Sequence, residues 1–369
     1  MRVLAVDVGT GTQDILLFDS DQPIENCVQL VMPSPTVVVA DRIRRATAAG
    51  RPVVLTGVMM GGGPCHWAAM DHLRAGFPIY ATPEVARTFD DDLENVARMG
   101  VTLVDEVEAE AIRDAERVVM RDFWYDAILS ALRAFGVEDE PDAVAVAVFD
   151  HGNAPPGVSD RVFRFDYLAE RVRQPNPLAA LAYFRDEIPP SMTRLQAVAS
   201  TCSAPVPLLV MDTAPAAALG ALEDPRVRAE RETLLVNVGN FHTLAFHIED
   251  RTIRGLFEHH TGELTREELE RYLVKLAEGT LTNQEVYDDM GHGALIVEPP
   301  AERPDRPLPF TAVTGPRRDL LKGSPLAPYL AVPHGDMMLA GCFGLLRAYA
   351  AKDPAVAEVV EARLGPPAL

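Results

Sequence analysis

At 369 residues, with 48% apolar and 24% charged side chains, the chain has the composition of a globular protein long enough for two ordinary domains, which excludes disordered and collagen-like classes. Its 54 acidic against 34 basic side chains give a formal net charge of -20, a surface that repels phosphate backbones, so nucleic acid is not expected as a partner. No stretch approaches the roughly 18 uninterrupted apolar residues of a membrane span, and MRVLAVDVGT places Asp7 inside its only apolar run without a small-residue cleavage site, so a cytoplasmic protein away from membranes is expected.

Taken in chain order, RVLAVDVGTGTQDILLFDSD reads as strand, Gly/Thr turn and strand, because β-rich apolar runs flank small polar residues. At this tip Gly9 and Gly11 let backbone N–H groups approach an anion closely, and the hydroxyls of Thr10 and Thr12 add donors. Asp7 at the strand end can hold a magnesium ion through water. The turn read alone is equally compatible with a Gly/Thr hairpin that carries a solvated Asp. Further strands are expected at VQLVM (from Val28), VVLTGVMM (from Val53), AVAVAVFD (from Ala143) and PLLVMD (from Pro207), with helices between several of them in α/β style. Thr82, with Pro83 at the first helical position, opens a helix that Gly100 can close. After Asp212, Ala217, Ala218, Gly220 and Ala221 make a helix that permits close backbone packing. A carboxylate at its start can be a general base or orient a water, and Asp212 or Thr213 can equally cap the helix.

A second hairpin-like unit follows at TLLVNVGNFHTLAFHIEDRTIRGLF. Its tip, Asn237-Val238-Gly239-Asn240-Phe241-His242-Thr243, can clamp the same phosphates from the opposite side, with Gly239 giving access and Thr243 a hydroxyl. Thr265 and Glu268 make a capping box, Leu269, Tyr272, Leu273 and Leu276 form a core stripe, and Gly279 follows. The Pro-rich stretch from Glu298 to Pro309 is expected as a surface excursion, since strand-like FTAVTG follows at once. The turn Thr314-Gly315-Pro316 can then cradle an adenosine ahead of a helix, and Arg317 and Arg318 either stack on the nucleotide or stay solvated. A last helix carries Ala340 and Gly341. The two glycine-tipped hairpins suggest two related halves, 1–222 and 223–369, with a cleft between them.

Cys27, Cys65, Cys202 and Cys342 stand singly, without CxxC spacing, and read as reduced buried thiols. Five of the nine histidines, His242, His247, His259, His260 and His292, fall in one stretch of the second half. His242 and His247 are an odd number apart on one strand, as are His259 and His260, so a metal site would need pairing across strands. In one hairpin register His242 approaches Glu258 and His260, and in the next it loses them. A transition-metal site and histidines that bind substrate, phosphate or backbone carbonyls both stay open.

Together these segments resemble the actin, sugar kinase and heat-shock chaperone superfamily over almost the whole chain. VDVGTGTQDILLFD is similar to its phosphate tip one, MDTAPAAALGAL to the connecting segment, VNVGNFHTLAF to phosphate tip two, and VTGPRRDLL with GDMMLAGCFGLL to the adenosine segment. The resemblance implies an α/β fold of two related ribonuclease-H-like, actin-like ATPase domains closing over ATP and Mg2+. Asp7 would hold the magnesium through water, and Gly9, Thr10, Gly11, Thr12, Gly239, Asn240, Thr243, Thr314 and Gly315 would bind the nucleotide. In FGGY-type carbohydrate kinases an Asp at the start of the connecting helix is the catalytic base, and Asp212 occupies that place. VVLTGVMMGGG is similar to their substrate-side loop, which puts Met60 and Gly61 beside the substrate. More narrowly, the DHG at Asp150, the EHHTG at Glu258 and the GHG at Gly291 look like a prokaryotic family labelled as pyruvate formate-lyase activating enzyme-like. A radical-type activase needs clustered cysteine ligands, which this chain lacks.

The expected function is an ATP-dependent phosphotransferase acting on a small molecule, with Asp212 as base and Asp150, His151, His242 and His260 lining the acceptor pocket. The alternative is a nucleotide-dependent conformational switch or activator ATPase with a protein partner. It is favoured by the shortness of the chain and by Asp14, which stands where many sugar kinases have a basic residue; Asn237, which stands where the chaperones have an Asp, is a further departure from the kinase pattern.

Overall fold

The computed structural model describes residues 1–155, 157–173, 178–250, 252–299 and 307–367. Strands β1 (Arg2–Val8) and β2 (Thr12–Asp19) pair as the first hairpin, and β3 (Val28–Pro33) adds a third antiparallel strand. The chain then builds a separate parallel sheet from β4 (Val53–Gly57), β5 (Ile79–Ala81), β6 (Thr102–Leu103) and β7 (Glu116–Met120), in the order β6-β5-β4-β7. This sheet has its own apolar core, including Val39, Ile43, Leu55, Ile79 and Val118. The chain returns through β8 (Ala143–Val148), β9 (Ala182–Phe184) and β10 (Leu208–Asp212) to complete a six-stranded sheet, β3-β2-β1-β8-β10-β9. The second half forms another, β14-β13-β12-β11-β15-β16, from β11 (Glu232–Val238), β12 (His242–Glu249), β13 (Thr252–His260), β14 (Gly293–Ile296), β15 (Phe310–Thr314) and β16 (Tyr329–Leu330).

The two six-stranded sheets share a plan. In each, a glycine-tipped hairpin and a third antiparallel strand form a meander, and two parallel strands extend the other edge of its first strand: β8 and β10 beside β1, β15 and β16 beside β11. The recurrence visible in the sequence is therefore a recurrence of topology. The parallel sheet is inserted in the chain between β3 and β8 of the first six-stranded sheet. Its strands run from two to five residues, too short for a periodic signal to separate them from the surrounding helices.

Between the six-stranded sheets lie the helices Thr213–Ala221 and Ala340–Lys352. Leu16, Phe18, Leu209, Phe246, Leu256 and Phe343 belong to the apolar cluster around them. The helices cross backbone to backbone: a Cβ on Gly220 would lie 1.6 Å from the carbonyl oxygen of Ala340, and one on Gly344 would lie 1.8 Å from that of Ala216. The small residues of the connecting helix are thus a contact surface. Gly220→Val is expected to cost at least ~3 kcal/mol, since neither backbone can yield. Gly262→Ala, whose added Cβ meets nothing within 4 Å, is expected to stay within about 0.5 kcal/mol of the parent. Thermal unfolding followed by circular dichroism compares them, and equal midpoints would refute the tight crossing.

Two local expectations change. The helix from Pro83 ends at Ala86, and a new one, Leu93–Arg98, starts under the cap of Asp92, whose Oδ1 accepts from Glu94 N–H at 2.8 Å. Asp90 accepts from Asp92 N–H at 2.8 Å, so the acidic run makes turns that compete with the helix. After the Gly315 turn the chain makes only a 3₁₀ turn, Arg318–Leu321. The capping box at Thr265 and Glu268 forms as expected and Gly279 closes its helix at φ 70°. Residues 300–306 of the Pro-rich stretch lie outside the described residues. No described helix is long and apolar enough to cross a membrane.

Candidate active-site cleft

The tips close in the same way. Gly9 N–H donates to the Thr12 carbonyl at 2.9 Å, and Gly239 N–H donates to the His242 carbonyl at 2.9 Å. They also face each other, because a Cβ on Gly11 would lie 2.3 Å from Nδ2 of Asn240. Gly315, at φ 97°, brings the turn after β15 so close that a Cβ there would lie 2.4 Å from the Val238 carbonyl. Gly9, Thr10, Thr12, Gly239, Asn240 and Gly315 consequently line one cavity of about 370 Å³.

Thr243 and Thr314 differ from the expectation that they offer hydroxyls to a ligand. Thr243 is fully buried, its Oγ1 3.0 Å from that of Thr261, because strand alternation turns it away from the cleft face that carries His242. Thr314 is buried as well and accepts from Nδ2 of Asn237 at 3.1 Å. Gly11 serves as the point of contact between the tips.

At the base of the tips, Asp7 on β1 stands opposite Asp14 on β2. Thr213 Oγ1, from the connecting helix, donates to Oδ1 of Asp7 at 2.6 Å. Gly341 makes room for this carboxylate, since a Cβ there would lie 1.8 Å from Oδ2 of Asp7. Burial, with Asp212 nearby, pushes Asp7 up to about 6. Burial and the charge of Asp7 push Asp14 up to about 8, and Oδ1 of Asp14 has no hydrogen-bond partner among the described residues. Two carboxylates on paired strands repel when both are ionised, so either one holds a proton or a cation joins them. An orphaned carboxylate oxygen beside a second carboxylate is a donor set for a hard dication, so these residues fit magnesium.

The far end of the cavity is lined by Phe149, Asp150, His151, His242, His260 and His292. His242 and His260 are directly opposite each other on β12 and β13, the register that also brings Glu258 alongside; a β-bulge between His247 and Ile248 accommodates it. The Phe149 ring stacks on His242 with centroids 4.0 Å apart. Burial holds His242 and His292 well below the usual imidazole range, helped by the other imidazoles and by Arg164, and burial lowers His260 as well.

Behind this wall lies Arg164, 2% exposed, in the helix Asp160–Arg171. Its Nη1 pairs with Oδ2 of Asp212 at 2.8 Å, its Nη2 with Oε2 of Glu258 at 2.7 Å, and Nη1 also donates to the Asp150 carbonyl at 2.9 Å. Asp212 in addition caps the connecting helix, accepting from Ala214 N–H at 2.9 Å. Both of its oxygens are therefore engaged, and it lies under the cavity wall, which changes its expected place as a base facing the substrate. Asp150 is buried too, with its carboxylate accepting from Gly152 N–H at 2.8 Å and Leu195 N–H at 2.9 Å. His151 contacts the Gly152 carbonyl through Nδ1 at 2.7 Å.

The loop at Met60 and Gly61 is held from below. Met60 N–H donates to Thr88 Oγ1 at 3.1 Å and Gly61 N–H to Asp122 Oδ1 at 3.1 Å. Asp122 in turn binds Arg194 in fork geometry, at 2.7 and 3.0 Å. Sequence reasoning missed Arg164, Asp122 and Arg194. Arg164 left a signal: it stands four residues before Leu168 on the buried face of its helix, where a lone cation demands partners. Asp122 and Arg194 left none.

Fold and cleft together define a mixed α/β protein in which two glycine-tipped hairpins of matching topology meet over a pair of carboxylates, Asp14 buried and Asp7 half-buried. The chain belongs to the family described as "Putative pyruvate format-lyase activating enzyme (DUF1786)", which matches residues 60–320. Solved structures similar to it include "Lmo2764 protein, a putative N-acetylmannosamine kinase, from Listeria monocytogenes", at 9% identity and a TM-score of 0.25, covering 69% of this chain and 49% of that one. An Aquifex aeolicus member of the Ppx/GppA family matches at 10% identity and a TM-score of 0.26, covering 85% and 66%. An exopolyphosphatase-like protein matches at 11% identity and a TM-score of 0.25, covering 99% and 91%. The chain thus spans about half the length of the first of these, and the likenesses are too distant to carry an activity across. No curated protein matches the sequence.

Proposed function

We propose that the cleft binds ATP with magnesium between two actin-like ATPase domains, 1–222 and 223–369, and that the protein transfers a phosphoryl group to a small molecule held at the histidine-lined end. One observation carries this reading: two tips with the same closing hydrogen bond face each other over Asp7 and Asp14 in a single cavity. The donors of the Thr10 and Asn240 tips suit a polyphosphate, and Gly315 leaves room for the nucleoside beside them. Asp7 and Asp14 would hold the magnesium, which when bound offsets the charge of the phosphates. Phosphoryl transfer through a loose transition state depends more on positioning and charge than on a base. Asp212 accordingly acts here through Arg164, which it orients, and through the helix that it caps.

Titration calorimetry and thermal shift are expected to show ATP binding at micromolar to millimolar concentration in the presence of magnesium. Asp7→Asn is expected to remove the magnesium-dependent part while the fold persists. No heat and no shift with any adenine or guanine nucleotide would end this proposal. A second reading, a nucleotide-driven switch with a protein partner, is favoured by Asp14, an acid where sugar kinases carry a base. Turnover of ATP by the wild type without acceptor, compared with turnover over a panel of sugars, acids and polyols, separates the two.

A further inference from the structure

Three imidazoles meet in the cleft without hydrogen-bonding one another. One ring nitrogen from each of His242, His260 and His292 lies within 4.8 Å of the other two. A tetrahedral metal with bonds of 2.0–2.1 Å holds such nitrogens about 3.3 Å apart, so modest ring rotations would close the set. His242 and His260 come together through the β12–β13 register. His292 is set just before β14 by its N–H, which donates to the Glu258 carbonyl at 2.9 Å.

The surroundings match a metal centre more closely than a packed core. His260 Nδ1 is 2.8 Å from the Met290 carbonyl, and His292 Nδ1 is 3.3 Å from Oε1 of Glu258. Ligating imidazoles usually point their second nitrogen at a carbonyl or carboxylate in this way, which leaves Nε2 as the lone-pair donor. His292 is 6% exposed, and neither its Nδ1 nor Oε1 of Glu258 has a hydrogen-bond partner among the described residues. A metal at Nε2 of His292 would fix the ring proton on Nδ1 and aim it at Oε1 of Glu258, completing the pairing that neither atom makes in the structure. The network behind the rings holds four carboxylates, Asp122, Asp150, Asp212 and Glu258, against two guanidiniums, Arg164 and Arg194.

We propose that His242, His260 and His292 bind a first-row divalent transition metal, with zinc the best suited of the redox-inert ions, and leave a fourth position open to an oxygen donor of a small molecule in the cleft. Neutral imidazoles suit zinc, iron, nickel or copper, whereas magnesium takes oxygen ligands, so this site is chemically separate from Asp7 and Asp14. It does not rest on nucleotide binding.

The test strips the full-length protein with a chelator and titrates it with Zn2+ and with Co2+, without nucleotide, in competition with a chromophoric chelator. One equivalent is expected to bind below micromolar concentration. Co2+ is expected to give the visible bands of a four-coordinate site, and X-ray absorption of the zinc form to give nitrogen ligands at about 2.0–2.1 Å. His260→Ala and His292→Ala are each expected to weaken binding by ~100-fold or more, while His66→Ala leaves it unchanged. If the variants fail to fold, the cobalt spectrum and the absorption data of the wild type decide alone. Stripped wild type that takes up neither ion at micromolar concentration, ligation by oxygen only, or undiminished affinity in the folded histidine variants would overturn the proposal.

Discussion

Replacing Arg164 by alanine is expected to destabilise the protein by about 3–5 kcal/mol, the usual cost of breaking a buried ion pair from one side. The guanidinium links the two halves of the chain, since Asp212 ends β10 and Glu258 lies on β13. Without it, Glu258 at 0% exposure and Asp212 at 6% would face each other as uncompensated charges. Most of the loss comes from those stranded carboxylates rather than from the net worth of the pairs. Adding Asp212→Asn and Glu258→Gln to Arg164→Ala is therefore expected to recover part of the stability. Arg164→Lys is not expected to rescue it, because a single ammonium cannot reproduce the fork that reaches both acids and the Asp150 carbonyl. Chemical denaturation of the four proteins measures this. An Arg164→Ala variant as stable as the wild type would show that the link is not a strut between the halves.

Asp14→Asn is expected to stabilise the ligand-free protein at pH 8 and above by at least ~1 kcal/mol, given that one pKa unit is worth about 1.4 kcal/mol. The sign follows from linkage. Asp14 titrates near 3.8 when unfolded and at about 8 in the fold, so its contribution is fully present below about 3.8 and is lost as the pH rises through 8. Asp7, raised to about 6, loses its part earlier in the same direction. The ligand-free wild type should then melt at progressively lower temperature between about pH 4 and pH 8, and the variant should show a flatter profile. Magnesium needs both carboxylates ionised, so its affinity should climb over pH 6 to 8, and its addition should restore the wild type but not Asp14→Asn. Melting curves across pH with and without magnesium check both halves of this expectation. A wild-type profile that is flat, or a variant profile parallel to it, would show that the two acids do not share a cation site.

Much of this was legible in the chain itself, wherever the controlling contacts are local. Alternating apolar runs around Gly9 and Gly239 determined the two hairpins, Thr265 with Glu268 and Gly279 determined a helix from cap to cap, and the small residues after Asp212 announced a close helix crossing. The DHG, EHHTG and GHG motifs were enough to suggest the family. What the chain left open depended on pairs that lie far apart in it. Whether His242 meets His260 or misses it was a choice between two registers, settled only when β13 packs between β12 and β14. That Asp212 pairs with Arg164, 48 residues away, and that the same guanidinium reaches Glu258, 94 residues from it, is a contact that local sequence rules do not reach. Thr243 and Thr314 carry the right hydroxyls for a phosphate, yet strand alternation and the bonds to Thr261 and Asn237 keep both buried. Propensity, capping and periodicity act within about a turn or a strand of a residue. Burial and charge pairing are properties of the assembled core, which only the tertiary structure brings into being.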